Sequence, residues 1–158
     1  MSEPRRFVIS GCSGGGKSTL IAEMASRGYA IRPEPGHEIL RDQLAAGGNA
    51  LPWTDMAGFL ELCITRGEHF FNTAARENGI VLFDRSIVDA VSALHQHGFA
   101  VRREHHMALE RQRYETTVFM APPWEDLFAS DSERQHSFAD AVAEHEALMR
   151  FYRPMATR

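Results

Sequence analysis

Long apolar runs are missing from this 158-residue chain, and cysteine is scarce, with two in all. No stretch approaches the roughly eighteen successive apolar residues of a membrane span, and the N-terminus lacks the apolar core of a signal peptide. These absences exclude a membrane-spanning helix and set the expectation of a soluble, cytoplasmic protein. Cys12 and Cys63 form neither a disulfide framework nor a metal-ligand spacing. Positive charge is not in excess either: 17 Lys and Arg face 21 Asp and Glu, for a net charge of −4. No broad basic face is available to hold a nucleic-acid duplex through counterion release, so no nucleic-acid partner is expected. The local pairs Arg102-Arg103 and Arg111/Arg113 read as solvated helix faces. Histidine is abundant at eight, yet His95-x-His97 has no third ligand nearby in sequence, and a histidine metal site is not expected.

What is present is ordinary globular composition, 44% apolar and 24% charged. A chain of this length buries about 70% of its unfolded surface in one core, so residues 1–158 are expected to form a single domain. Arg5 to Ser10 reads as a buried strand, and Lys17 to Arg27 as a helix closed by Gly28. Tyr29-Ala30-Ile31 restarts an extended segment that Pro33 and Pro35 stop. Gly36 to Ala46 has helical spacing. Thr54 reads as the N-cap of a long amphipathic helix ending at Asn78-Gly79, with Phe59, Leu60, Cys63 and Phe70 on its apolar stripe.

Ile80-Val81-Leu82-Phe83-Asp84 is a buried strand that delivers a carboxylate at its C-terminal end. Ser86 caps a helix through about Gln96, another runs from about Arg102 to Arg111, and Thr116 to Met120 is the next strand, stopped by Pro122-Pro123. A last helix runs from about Ser137 to Phe151. Strands alternating with helices predict an α/β doubly wound fold, a mostly parallel sheet of four or five strands with flanking helices. Ligands of such sheets lie outside the carboxyl ends of the strands. That rule gathers the loop after the first strand, Glu34, Asp84-Arg85 and the Pro122-Pro123 turn around one crevice.

The loop is the most specific signal in the chain. Gly11-Cys12-Ser13-Gly14-Gly15-Gly16-Lys17-Ser18, followed by Thr19, fits G-x-x-x-x-G-K-[ST] between a strand and a helix. Its backbone N–H groups form a nest for phosphate oxygens, and the helix that starts near Lys17 turns its positive dipole end toward the same anion. Lys17 is expected on the β/γ-phosphates and Ser18 on Mg²⁺. Cys12 is read as a spectator in this loop, although a nearby helix N-terminus would favour its thiolate. Asp84 is placed to hold Mg²⁺ or to accept the proton of an attacking hydroxyl, with helix capping as its structural alternative. Arg85 has the fork geometry to clamp a substrate anion, and Glu34, held between two prolines, is a candidate for the acceptor's hydroxyls. Arg134 lies in a polar stretch that would act as a flap and carry it to the γ-phosphate. ATP is expected over GTP: Asp84 is followed by Arg85-Ser86-Ile87 rather than x-x-G, and no N-K-x-D segment occurs.

Taken together, these segments resemble the P-loop kinases and predicted ATPases of the AAA-domain type related to ribosylnicotinamide kinase, and more distantly thymidylate and deoxynucleoside kinases. The likeness rests on Gly11 to Thr19, Pro33-Glu34, Phe83 to Asp89 as an aspartate-arginine motif with a trailing aspartate, Val118 to Glu125, and Asp131 to Arg134 as the family's lid. The resemblance implies an ATP- and Mg²⁺-dependent kinase transferring a phosphoryl group to a hydroxyl of a nucleoside-like or other small acceptor. A regulatory ATPase with slow, acceptor-independent hydrolysis is the alternative. In such kinases the acid of the aspartate-arginine pair acts near the acceptor hydroxyl and the arginine supports substrate and phosphates, with a lid here at about 123–136. Family members usually continue into a fifth strand, whereas this chain stops at Met155-Ala156-Thr157-Arg158. The expectation is therefore four strands with an open edge, able to pair in a homodimer, or a sheet completed by a further C-terminal segment.

Overall fold

The computed structural model describes residues 2–12, 15–129 and 137–155. Among them, four strands form one parallel sheet in the order β2-β3-β1-β4. They are β1 (Arg5–Gly11), β2 (Ala30–Arg32), β3 (Ile80–Asp84) and β4 (Val118–Ala121). The first two connections each contain helix: α1 (Lys17–Ser26) lies between β1 and β2, and α2 (Pro35–Ala46) and α3 (Met56–Thr73) lie between β2 and β3. Then come α4 (Ile87–Gln96) and α5 (Arg103–Arg111) before β4, and α6 (Glu125–Ala129) and α7 (Phe138–Tyr152) after it. Among the described residues, no helix is long and apolar enough to cross a membrane.

The register explains where the core sits. Val8, Val81 and Phe83 share one face of the sheet and pack with Val88 of α4 and with Leu148 and Tyr152 of α7. Successive strand residues alternate faces, so Ile9 and Leu82, also buried, point the other way. α1 packs against β1 and β2. A second cluster joins Ile39 of α2, Phe59, Leu60, Cys63 and Ile64 of α3, and Ala90, Val91 and Leu94 of α4. α4 thus lies between the sheet and α3, and it is buried at every residue from Ile87 to Ser92. A helix in that position needs apolar residues on most of its circumference, which the sequence Ile87-Val88-Asp89-Ala90-Val91-Ser92-Ala93-Leu94 supplies except at Asp89 and Ser92.

Several boundaries differ from the sequence reading, each for a local reason. Asp55, not Thr54, caps α3: its carboxylate accepts from the Gly58 N–H at 2.9 Å, while Thr54 belongs to the preceding turn, its N–H bonded to the Leu51 carbonyl like that of Asp55. α3 ends at Thr73 and passes into a 3₁₀ turn over Ala74–Arg76, because Ala74 must turn into the core. Pro35 takes the first turn of α2, where its missing N–H costs nothing. The short α6 has no apolar periodicity long enough to announce it.

α3 and α4 approach so closely that a side-chain carbon at Gly67 would sit 2.7 Å from Cγ2 of Ile87, a residue only 1% exposed. Gly67→Val should therefore overpack this seam and destabilise the protein by about 1–3 kcal/mol, read as a lowered midpoint in urea unfolding.

Candidate active site

β1 delivers the loop, and α1 receives it. Gly11 has φ +137°, and a Cβ there would lie 2.3 Å from the Ala121 carbonyl oxygen, so the end of β4 presses on the start of the loop. Only glycine meets both demands. Gly15 lies against the same strand end, with the Pro122 carbonyl 3.2 Å from where its Cβ would be. Gly16, in the left-handed region, occupies the N-cap position of α1 without a side-chain cap, and the first turn carries no acidic residue. Among the described residues nothing caps the leading amides of α1, which is the arrangement phosphate requires. Ser13 and Gly14 lie outside the described residues.

Lys17 opens α1 and is 8% exposed. Burial and then the Arg85 charge push its pKa down, against the pull of Glu34, Asp84 and Asp89. The ammonium is thus held without the water that would otherwise stabilise it, and a triphosphate would replace that lost solvation. Ser18 and Thr19, the next two residues, are exposed. Cys12 is fully buried, and burial and then Glu144 raise its pKa, so the thiolate is disfavoured despite the nearby helix terminus.

Asp84 ends β3 directly beside Ile9 of β1. Its Oδ1 is buried without a hydrogen-bond partner, and burial followed by Glu34 raises its pKa. Capping, the structural alternative for this residue, falls to its neighbour: Ser86 caps α4 by accepting from the Val88 N–H at 3.1 Å. An unpartnered carboxylate oxygen at the carboxyl end of the sheet fits a divalent cation or a hydroxyl proton, and Asp84 and Ser18 both carry oxygen donors of the kind Mg²⁺ takes.

Arg85 follows with φ +64°, a left-handed backbone that costs a non-glycine residue on the order of 1–3 kcal/mol. Its N–H donates to the Ile9 carbonyl at 2.9 Å, which ties this turn to β1. The guanidinium lies among three carboxylates: Asp89 Oδ1 and Glu144 Oε1, each at 3.2 Å, and Glu34 Oε1, 3.4 Å from Nε. The Glu34 contact is ionic only, for the buried Nε–H makes no hydrogen bond. These carboxylates outweigh the desolvation of the guanidinium and hold its pKa above the usual arginine value. Glu34, at the N-cap position of α2, also lies 3.5 Å from the His37 ring. An anionic substrate group would have to displace one of these partners to reach Arg85.

Beyond Arg85 lies a cavity of about 610 Å³, within the range of small-molecule sites. Met56, Phe59, Leu60 and Cys63 of α3 give it an apolar side, while Glu34, Arg85 and Glu144 give it a charged one. Burial pushes the Cys63 thiol up to about 12, so it acts as an apolar wall. The structure thus brings Gly11, Gly15 to Ser18, Glu34, Asp84 and Arg85 to one end of the sheet. Arg134 lies outside the described residues, as does the second half of the lid at about 123–136; residues 123–129, which include α6, are described. Glu144, Ser10 and Tyr152 were not marked out by the sequence, and Asp89 only as the trailing member of a motif. The spacing Ser86-x-x-Asp89 is a capping-box pattern that would have pointed to Asp89. Nothing in the sequence announces Tyr152, which reaches the site from the far end of the chain.

Comparison with known proteins agrees with this geometry. A family profile described as an AAA domain matches residues 6–157. A search of curated proteins gives no match. Among solved structures, a deoxyadenosine kinase from M. mycoides with the products dCMP and a flexible dCDP bound has a TM-score of 0.57 at 17% identity, covering 96% of this chain and 83% of that one. A structure of deoxyadenosine kinase from the same organism with dATP bound has a TM-score of 0.51 at 15% identity, over 98% and 84% of the two chains. A shikimate kinase from Acinetobacter baumannii in complex with shikimate has a TM-score of 0.50 at 16% identity, over 97% and 80%. At these identities the likeness is one of fold. The chain belongs to the AAA domain family, has the fold of the P-loop kinases, and is a P-loop phosphotransferase or ATPase.

Proposed function

We propose that the chain, acting as one catalytic domain in the cytoplasm, is an ATP- and Mg²⁺-dependent kinase that phosphorylates a hydroxyl of a nucleoside-like or other small acceptor. The observation that carries this reading is the juxtaposition of an uncapped α1 terminus and desolvated Lys17 with the orphaned Asp84 oxygen and, past Arg85, a cavity of about 610 Å³. A hydrolytic switch needs the first three features but has no use for the cavity.

In this reading Lys17 and the loop amides hold the phosphates of ATP, and Ser18 and Asp84 would hold Mg²⁺. When bound, the metal neutralises phosphate charge. Asp84 takes either the metal or the acceptor's hydroxyl proton, and both roles need its carboxylate ionised. Glu34 orients the acceptor. Arg85 keeps a positive charge between the donor and acceptor sides, and Arg134 is assigned to the transferring phosphoryl group. Phosphoryl transfer asks the protein chiefly for such positioning and charge.

Two measurements test the assignment. Lys17→Ala should abolish ADP release while leaving the unfolding midpoint near wild type or higher, since a desolvated charge is removed. Wild-type turnover in the folded variant would refute the site. Asp84 should impose an acid limb on kcat/KM: its carboxyl is raised, so activity falls as pH drops through a value above the ordinary aspartate pKa. Asp84→Asn should lose that limb along with a factor of about 10² or more of the rate, the size expected of a general base or metal ligand. Separately, an acceptor panel distinguishes kinase from switch, because only a kinase releases ADP faster with one particular hydroxyl compound.

A further inference from the structure

Asp89 interrupts the otherwise apolar start of α4, is 7% exposed, and engages more groups than a helix cap requires. Its Oδ2 accepts from the Ser86 N–H at 3.0 Å, which completes the capping box, and from the Tyr152 hydroxyl at 2.5 Å. Its Oδ1 accepts from the Ser10 hydroxyl at 2.5 Å and from Arg85 Nη1 at 3.2 Å. The Tyr152 hydroxyl also lies 2.7 Å from Ser86 Oγ. All four acceptor positions of the carboxylate are thus in use. A cap is ordinarily made at the surface, so capping alone does not account for a carboxylate carried inside.

The identity of the donors gives the reason. Ser10 directly precedes Gly11, the first residue of the phosphate loop, while Arg85 stands at the wall of the cavity. One oxygen therefore joins the donor half of the site to the acceptor half. Tyr152 arrives from the last turn of α7, and that same helix places Glu144 against Arg85. Arg85 also has a strained backbone, which persists only where its surroundings over-determine it. We propose that Asp89 is the positioning residue of this site: it fixes the Arg85 guanidinium relative to the base of the phosphate loop, and the Tyr152 hydroxyl makes the seating of α7 a condition of that placement. The inference rests on the proposed role of Arg85 as the cation between donor and acceptor.

Asp89→Asn keeps the shape but turns one acceptor oxygen into a donor that faces two donors. Arg85 and the loop would lose their common anchor while the loop itself stays whole. With ATP and Mg²⁺, both without an acceptor and with the hydroxyl compound that accelerates ADP release in the acceptor panel, this variant should lose tenfold or more in kcat for ADP release, with KM for ATP and calorimetric affinity for a non-hydrolysable ATP analogue within about threefold of wild type. If Asp89 acts through Arg85, Asp89→Asn should cost nothing further in an Arg85→Gln background, and Tyr152→Phe nothing further in either. Should Asp89→Asn fail to fold, the Tyr152→Phe and Arg85→Gln cycle carries the same test, since Tyr152→Phe removes one hydroxyl and no charge. Losses that multiply, or a fall in kcat matched only by a smaller folded fraction, would overturn the positioning role while the kinase reading stands. A wild-type protein that neither binds the analogue nor releases ADP would overturn both.

Discussion

Parallel pairing of β1 with β3 brings the phosphate loop and the Asp84-Arg85 turn side by side, and the rest of the site follows from it. The register sets Ile9 opposite Asp84, and the Ile9 carbonyl takes the Arg85 N–H. Two strands some seventy residues apart in sequence therefore end together, one in a loop of donors and the other in a carboxylate. Side chains alternate faces, so a slip of one residue would turn Val8 and Phe83 out of the core. Core packing thus enforces the alignment of the chemical groups. β4 closes the arrangement from the other side, its Ala121 carbonyl pressing on Gly11.

The electrostatics of this end of the sheet follow from burial. Lys17 and Asp84 are both pushed toward their neutral forms, one downward and one upward, although they attract each other. Desolvation outweighs the pair interaction at both. A polyanion entering such a site would give the buried Lys17 ammonium a partner in place of the water it lacks. Arg85 is the opposite case. Three carboxylates more than offset its desolvation and keep it charged whatever occupies the site. Breaking such a cluster by removing one member leaves the others unpaired, a loss usually larger than the net stability the cluster provides. Its retention is better explained by fixed geometry than by stability.

The phosphate-loop side of the candidate site was largely legible in the sequence because it is local. Gly11 to Ser18 is one contiguous sequence motif, Asp84 follows a four-residue apolar run, and the rule that ligands sit beyond strand ends joins them without knowledge of the packing. Ser86 as a cap was equally visible. The cavity side was not. Glu144 and Tyr152 reach Arg85 and Asp89 only because α7 crosses α4, and a crossing angle is set by the complementarity of two surfaces rather than by either periodicity. Cys12 shows a subtler loss. Its loop position makes it a spectator, while a helix N-terminus favours its thiolate; what disfavours the thiolate is the depth at which β1 ends, and that depth depends on the whole sheet.

This division has a consequence for how such a fold can diverge. Strand register is discrete: it holds or it fails, so the loop, Lys17 and Asp84 tolerate little change in what surrounds them. Helix packing is adjustable, and the cavity beyond Arg85 is bounded by α2, α3, α4 and α7, whose contacts can shift with one side chain. Structures named as a shikimate kinase and as a deoxyadenosine kinase share this chain's architecture at 15–17% identity. Asp89 sits on the border between the two regions, bonded to β1 through Ser10 and to α7 through Tyr152. A helical wall that repacks around a new acceptor must still return Tyr152 to that carboxylate, or Arg85 loses its place beside the loop.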